Sequence, residues 1–453
     1  MKFKKFILPI AISTIGLTTL SSCLNPFEVL KNNIENNAKV EDKYGDTKNT
    51  MFFALYNYYG QPGQNFTHRW LGMKQALEEY GIKITGDGNQ PDARKFKIDY
   101  TNSTLPEDFK VFMVNNKTWD ASLQYTKPLR TEKPFALVST CNGVEFAAEQ
   151  VSRYSPDTKN ATMGGFSENY KKAFENGSLA YLATKYTCHV APIFAAAVNA
   201  VLAEEDPIHY APLRYPAEAG AEAFAPDGYA LRLGLQHWDV KTYEEYLELE
   251  VMDNYTDNPT LKKSDLDPFF TLGNEKNSAE VLTEWCSSSS KDNIRAIYDT
   301  NREIKETPRQ GRQLKAGIII PSAVNDVVGA YRDYMKGYLA KMYNVHFVAD
   351  QSVSSTSDQI QCTKNLIQNN VDFIISLQDD PMRTAAIKEA NKAGVFFANS
   401  GTCQNDQDYT DTKTLKYFVG SIGSSNHEEQ RVTHEMTKFY LDQIASRGPV
   451  KGK

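Results

Sequence analysis

The C-terminal third of the chain alternates short apolar runs with longer segments of helical spacing. The apolar runs cover residues 316–320, 345–350, 371–377, 395–398 and 417–420, and helical spacing covers 327–342, 359–368, 381–393 and 427–445. A continuous apolar run is expected of a strand that is buried on both faces. Strands that alternate with helices of this length predict a parallel, doubly wound sheet.

The region 51–205 shows a similar order with weaker signals. Strands are predicted at 51–56, 109–114, 134–138 and 179–183, with helices at 66–80, 119–131 and 191–203. We match the segment 138–141 with 398–403, because each is expected at the end of the fourth strand of its unit. The loop 142–178 is then longer than its counterpart in the second unit. We interpret the two regions as copies of one α/β unit; the alternative is that any two α/β units look alike at this level.

The chain is therefore divided into five segments. We expect a signal peptide at 1–22, a lipidated polar tether at 23–50, a first α/β unit at 51–205, a connector with helices at 206–313, and a second α/β unit at 314–453. The connector contains a Pro- and Gly-rich stretch at 207–228, which predicts loop structure. The predicted fold class is α/β, with two Rossmann-like units that contain doubly wound parallel sheets.

The N-terminus has the pattern of an exported lipoprotein. Three lysines precede an apolar stretch at 6–20 that is short for a membrane span, and the stretch ends in Leu20, Ser21, Ser22 and Cys23. This sequence resembles a bacterial lipobox, in which the cysteine is lipidated and becomes the first residue. We expect the protein on the outer face of a bacterial membrane, anchored through Cys23. The alternative is an uncleaved anchor with an incidental cysteine.

Composition and motifs exclude several classes of protein. The net charge is −6 without a long basic run, which argues against a nucleic-acid-binding protein. Six cysteines are too few for a disulfide scaffold, although a Cys141–Cys188 disulfide is an alternative to free thiols. His427 and His434 are two helical turns apart, which does not fit a zinc-protease helix. No set of residues combines a nucleophile, a base and an oxyanion donor, so we expect no enzyme activity, no cofactor and no metal.

The second unit resembles the first lobe of type I periplasmic-binding proteins. The resemblance rests on the order of many weak motifs, at 317–322, 345–350, 359–373, 385–395 and 417–431, and a fainter version covers 109–140 and 179–203. The resemblance implies an extracytoplasmic substrate-binding protein of an ABC importer. We expect this protein to bind a small polar solute, namely a sugar. The alternatives are a nucleoside-binding lipoprotein and a surface receptor or adhesion lipoprotein that does not transport.

The resemblance also implies which residues face the solute. In the first unit these are Asn57, Tyr58, Ser139, Thr140, Thr184 and Lys185; in the second unit they are Ser322, Asn325, Asp350, Asn399, Ser400, Ser421 and Asn426. Each of these residues could instead cap a helix or form a turn. The chain departs from the family where Val327 and Val328 replace the usual aromatic residue, and where Asn399 and Ser139 replace the usual acid.

The implied partners are the solute and an ABC permease, and the membrane is contacted only through the lipid. One question stays open at this level. The two units could be the two lobes of one clamshell, or each could be a copy of a first lobe in a chain that is cut short.

Overall fold

Two six-stranded sheets organise the chain, one built mainly from residues 48–184 and the other mainly from residues 314–424. The structure, a computed structural model, describes residues 45–56, 65–86, 96–116, 129–139, 151, 153–216, 228–256, 259–287, 290–299, 306–321, 326–353, 358–377, 383–402 and 405–450. All statements below refer to these residues. The predicted signal peptide, the lipidation site Cys23 and most of the predicted tether lie outside them.

The first sheet contains six strands in the order β4-β1-β5-β6-β7-β9. They are β1 (Lys48–Tyr56), β4 (Lys110–Asn116), β5 (Pro134–Ser139), β6 (Lys159–Gly164), β7 (Leu179–Thr184) and β9 (Trp238–Val240). All neighbours are parallel except β7 and β9. A separate antiparallel pair is formed by β2 (Lys83–Thr85) and β3 (Lys97–Asp99).

The second sheet has the order β11-β10-β12-β13-β14-β8 and is parallel throughout. Its strands are β8 (Leu231–Gly234), β10 (Leu314–Pro321), β11 (Val345–Val353), β12 (Phe373–Ser376), β13 (Phe396–Thr402) and β14 (Phe418–Ser424). Apart from the sixth strand, each sheet follows the same order: second, first, third, fourth, fifth. The predicted α/β fold class with two doubly wound parallel sheets is therefore confirmed.

The sixth strand of each sheet comes from the predicted connector. β8 extends the second sheet beside β14, and β9 extends the first sheet beside β7. Only the short segment 235–237 separates these two strands, so the chain passes directly from one sheet to the other at this point.

One strand of the first unit is missing from the sequence prediction, which makes the predicted strand matching wrong. The segment read as a long loop, 142–178, contains β6 and the helix Glu168–Glu175. Asn160 and Thr162 give β6 a polar composition although both are only 1% exposed. The third strand of the first unit is therefore β5, and the counterpart of β13 is β6 rather than the segment 138–141.

Thirteen α-helical segments lie among the described residues. They are α1 (Asn65–Glu79), α2 (Glu168–Glu175), α3 (Ala191–Glu205), α4 (Tyr243–Met252), α5 (Lys263–Phe270), α6 (Ala279–Ser287), α7 (Ser290–Asp299), α8 (Asp326–Tyr334), α9 (Ala340–Tyr343), α10 (Asp358–Gln368), α11 (Arg383–Ala393), α12 (Asp406–Thr412) and α13 (Asn426–Arg447). A 3-10 turn (Thr187–Val190) precedes α3, and a π-helical turn (Met335–Leu339) joins α8 to α9.

The largest apolar core packs α3 against one face of the second sheet. Phe194 of α3 contacts the rings of Phe373, Phe347 and Tyr343. Among the described residues, the stretch Thr187–Glu205 has the length and composition of a membrane span, but 94% of its most apolar window is buried inside the protein. It is therefore a core helix.

Three short crossings connect the two sheets in the described part of the chain. After β7 the chain turns through Lys185 and the 3-10 turn into α3, which packs on the second sheet. The second crossing is the β8–β9 link. The third follows β14, where α13 begins and packs against α1 and β5 of the first unit. These crossings place the end of β7, the start of β9 and the end of β14 close together.

Candidate functional site

The carboxyl ends of the strands are the part of an open parallel sheet where ligands bind, at the point where the strand order reverses. In the first sheet this point lies between β1 and β5, and in the second sheet between β10 and β12. The predicted site residues Asn57, Tyr58, Thr140, Ser322 and Asn325 belong to the loops after these strands, and they lie outside the described residues.

In the first sheet, the described site residues end their strands as predicted from the sequence. Ser139 is the last residue of β5 and Thr184 is the last residue of β7. Both are buried, 3% and 1% exposed. Lys185 follows Thr184 directly and is half-buried.

In the second sheet, four polar residues form a row across neighbouring strands. Asn399 of β13 pairs with Ser376 of β12 on one side and with Ser421 of β14 on the other, and Ser421 pairs with Arg232 of β8. Because paired residues of adjacent strands point to the same face, the four side chains line up under α10 and α11. Sequence reasoning named Asn399 and Ser421 as solute contacts and did not name Ser376 or Arg232, although Ser376 lies within the predicted strand 371–377.

A row of glycines lies next to this polar row, towards the carboxyl ends. Gly401, Gly423 and Gly234 pair with one another on β13, β14 and β8. Gly401 has φ +123°, a conformation that favours glycine. A Cβ atom built on Gly234 would meet no atom within 4 Å. This row is therefore bare of side chains, and its backbone groups can be approached closely.

Two polar side chains in the interior of β13 are buried without a partner among the described residues. Both amide atoms of Asn399 and the hydroxyl of Ser400 make no hydrogen bond, although the residues are 2% and 1% exposed. An unpaired buried polar group costs about 1–3 kcal/mol, and nearly all such groups in native proteins have a partner.

Two predicted site residues of the second unit, Asp350 and Asn426, lie outside this polar row. Asp350 was expected after the second strand, but β11 continues to Val353, so Asp350 lies inside an edge strand. It is exposed and accepts hydrogen bonds of 2.8 and 3.0 Å from Lys336 Nζ. The strand continues because an edge strand tolerates the polar residues that follow Asp350. Asn426 is the first residue of α13 and is half-buried.

Lys185 joins the two sheets. Its Nζ donates to the carbonyl oxygen of Gly401 at 2.6 Å and to the hydroxyl of Ser424 at 3.3 Å. Gly401 and Ser424 belong to β13 and β14, whereas Lys185 follows β7. The carboxyl edges of the two sheets are therefore in direct contact.

A buried carboxylate supports this contact. Glu429 accepts hydrogen bonds from Ser424 Oγ and, at 2.6 Å, from Arg69 Nε of α1. Burial alone would raise the pKa of Glu429, but the charges of Arg69, His237 and Lys185 outweigh it and hold the pKa at about 2. Glu429 is therefore ionised at neutral pH. Its position is fixed because Ser425 caps the helix that carries it.

A second carboxylate holds the β8–β9 crossing. Glu428 accepts from the backbone N–H of His237 at 2.7 Å and from Arg431 at 2.8 Å. Arg431 also donates to Asp239 at 3.1 Å. Burial opposes ionisation of Glu428, but the bonds from Arg431 and His237 lower its pKa to about 2.

His189 presents a further unpaired buried atom. Its Nδ1 lies 2.7 Å from the carbonyl oxygen of Tyr186, so Nδ1 carries the proton and Nε2 is an acceptor. Nε2 has no hydrogen-bond partner in the described part of the chain. Burial, and then the charge of Lys185, lowers the pKa of His189 to about 3, so the ring is neutral. Sequence reasoning missed this residue.

Two further contacts bring the sheet edges together. The ring of His189 meets Tyr331 of α8 edge to face, with centroids 4.5 Å apart. A Cβ built on Gly165, which follows β6, would lie 2.8 Å from Val327 Cγ2 of α8. Beside them, Tyr186 stacks on Trp238 at 5.5 Å. The junction therefore combines polar atoms with aromatic faces.

The structure shows the surroundings of Cys188 and His434, two residues that the sequence left with alternative roles. Cys188 is a free, buried thiol, so the Cys141–Cys188 disulfide considered from the sequence is not formed; Cys141 itself lies outside the described residues. His434 Nε2 lies 2.7 Å from Glu79 Oε1, which explains this histidine as part of the α1–α13 contact.

A cavity of about 290 Å³ lies elsewhere, at the amino end of β13. Its lining residues include Ala200, Glu204, Arg214, Phe396 and Lys416. Because Phe396 begins β13, whereas Gly401 and its contact with Lys185 lie at the other end of that strand, this cavity is separate from the candidate site.

Comparison with known proteins gives no match to a family model and no match to a curated protein. Many solved structures are similar at low sequence identity, and three of them are described here. An ABC transporter solute-binding protein from Burkholderia graminis, in complex with D-arabinose, is 9% identical with TM-score 0.43, covering 88% of this chain and 91% of that one. A carbohydrate transporter solute-binding protein from Agrobacterium radiobacter, also with D-arabinose, is 9% identical with TM-score 0.44, covering 90% and 92%. The Caulobacter myo-inositol binding protein is 9% identical with TM-score 0.42, covering 90% and 92%.

Proposed function

We propose that the chain is a lipid-anchored, extracytoplasmic solute-binding protein that holds a small polar solute, a sugar, and delivers it to an ABC permease. On this proposal the two sheet units are the two lobes of one binding protein, and the solute sits where their carboxyl edges meet. The proposal keeps Asn57, Tyr58, Thr140, Ser322 and Asn325 as predicted solute contacts, all of which lie outside the described residues.

One observation carries the proposal: the carboxyl edges of the two sheets meet at Lys185, and buried polar atoms without a partner among the described residues lie on β13 and in the turn after β7. Asn399 offers a donor and an acceptor side by side, Ser400 offers a hydroxyl, and His189 Nε2 offers an acceptor. A sugar hydroxyl can donate and accept at once, so it can pair with any one of these groups. The nearby aromatic rings of Tyr186 and Trp238 add an apolar wall of the kind that polar-solute sites use.

A thermal-shift screen of the full chain in detergent tests the proposal. The panel contains D-arabinose, D-ribose, D-glucose, L-rhamnose, myo-inositol, adenosine and uridine. A solute that binds only the folded state raises the melting temperature with concentration, since stabilisation follows RT ln(1 + [L]/Kd). A rise with a sugar or inositol supports the proposal, a rise with nucleosides alone favours the nucleoside alternative, and no rise with any compound contradicts solute binding.

The delivery step has its own test. We expect the full chain, loaded with the solute found in the screen, to co-purify with an ABC permease from its native membrane. Solute binding without such a partner would favour the alternative of a surface receptor that does not transport.

A further inference from the structure

We propose that Lys185 is a latch: its ammonium group holds the carboxyl edges of the two sheets together before a solute binds, and so sets how often the site is closed. The inference rests on the function proposed above for the same site and assigns Lys185 a positioning role instead of the solute contact expected from the sequence. Its test does not need the solute.

The first argument is where the bonds go. Lys185 follows β7 of the first sheet, and its Nζ donates to Gly401 of β13 at 2.6 Å and to Ser424 of β14 at 3.3 Å. One side chain thus bridges from the first sheet to two strands of the second. Because the chain crosses between the sheets at Lys185 and again after Ser424, these bonds act at the crossing itself, where they favour one angle between the two sheets.

The second argument is the direction of the hydrogen bonds. Ser424 has one hydroxyl proton, and the ionised Glu429 beside it can only accept, so Ser424 donates to Glu429. The lone pairs of the Ser424 oxygen are then free to accept from Lys185. Arg69 of α1 completes the series by donating to Glu429 at 2.6 Å. Every donor and acceptor in this series is therefore correctly oriented.

The third argument is the accessibility of the carbonyl acceptor. Gly401 has φ +123° and lies beside Gly423 of the neighbouring strand. Without side chains at these positions, an ammonium group can reach the Gly401 carbonyl oxygen at the strand end. Charge-assisted hydrogen bonds of this kind are about twice as strong as neutral ones.

The same edges offer a way to measure closure. A Cβ at Gly165 would lie 3.7 Å from the Cβ of Val327, within the range that a disulfide requires. The double variant Gly165→Cys/Val327→Cys should therefore form a disulfide when the edges are closed. The rate at which this disulfide forms under oxidised glutathione reports how often the closed arrangement is populated. Peptide mass mapping distinguishes this disulfide from any disulfide that involves the native cysteines.

In this background we compare Lys185→Met, Lys185→Arg and the matched control Lys159→Met. Lys159 makes the same kind of bond, from Nζ to the Gly177 carbonyl oxygen at 2.7 Å, but within the first unit. We expect Lys185→Met to slow disulfide formation at least fivefold, and Lys185→Arg and Lys159→Met to slow it less than twofold. Circular dichroism at the assay temperature verifies that each variant is folded.

Two results would overturn the latch: equal rates in Lys185→Met and the parent, or no disulfide in the parent itself. A general loss of folding is recognised when Lys159→Met slows the rate as much as Lys185→Met, and this result also counts against a specific role for Lys185. A failed solute screen leaves these rates unchanged, so the latch and the proposed function fail separately.

Discussion

Gly72 of α1 lies directly against the backbone carbonyl of Gln430 of α13: a Cβ on Gly72 would approach that oxygen to 2.1 Å. The same Cβ would lie 2.3 Å from Thr433 Oγ1. The absence of a side chain at residue 72 therefore allows the two helices to pack closely. This contact fixes the start of α13, and with it Glu428 and Glu429, against the first unit.

We predict that Gly72→Ala lowers the free energy of unfolding by about 1–3 kcal/mol, because overpacking forces the helices apart. Gly337→Ala is the matched control, since a Cβ there would meet no atom within 4 Å. Chemical denaturation measures both variants. Equal effects of the two substitutions would show that the close packing at Gly72 does not matter.

The second prediction concerns Asn399. If its unpaired amide is kept for a solute, Asn399→Leu should raise the free energy of unfolding of the solute-free protein by about 1–3 kcal/mol and abolish the solute-induced thermal shift. Asn160→Leu is the control, because its amide is equally buried and unpaired but lies at the start of β6, away from the site.

Asn160→Leu should therefore stabilise the protein and leave the thermal shift intact. A normal shift in Asn399→Leu would remove Asn399 from the solute site.

The third prediction concerns pH. The folded-state pKa of Glu429 is about 2, below the value of about 4.3 for an unfolded glutamate. Its ionised form therefore stabilises the protein fully above about pH 5, and this contribution is lost as the pH falls towards 2. We expect Glu429→Gln to cost about 3–5 kcal/mol at pH 7, as in other broken buried pairs, and less at pH 3.

Urea denaturation at the two pH values tests this expectation. Glu389→Gln, which removes a surface ion pair with Lys392, is the control and should show no such difference. A cost for Glu429→Gln that does not shrink on acidification would contradict the assignment of a paired carboxylate.

The fourth prediction concerns the anchor. Cys23→Ser should release the protein from the membrane fraction and remove the added lipid mass, whereas Cys362→Ser should do neither. Fractionation followed by intact mass spectrometry measures both. A Cys23→Ser protein that stays lipidated would refute the lipobox interpretation.

The sequence predicts the second sheet better than the first, for a physical reason. β10 and β12 are buried on both faces and read as apolar runs, whereas β6 is buried with Asn160 and Thr162 in its interior. Hydrophobic periodicity cannot detect a buried strand whose side chains are polar. β8 and β9 are missed as separate strands because each is only three or four residues long.

The candidate site is predicted in part. Strand ends can be located along the sequence, so Ser139, Thr184 and Ser421 fall at or near the edges of their sheets. The partners of Lys185 cannot be predicted in this way, because Gly401 and Ser424 are brought to it only by the crossings between the sheets. Asp350 is misplaced because the end of an edge strand depends on pairing and not on apolar content.

The most direct test of the account is whether closing the two edges traps a solute. The Gly165→Cys/Val327→Cys variant is loaded with the sugar that gives the largest thermal shift, oxidised, and then desalted. We expect the oxidised protein to retain the sugar and to release it only on reduction, while the parent chain under the same oxidation exchanges it freely. Equal exchange from the oxidised and reduced double variant would contradict a solute enclosed between the two sheets.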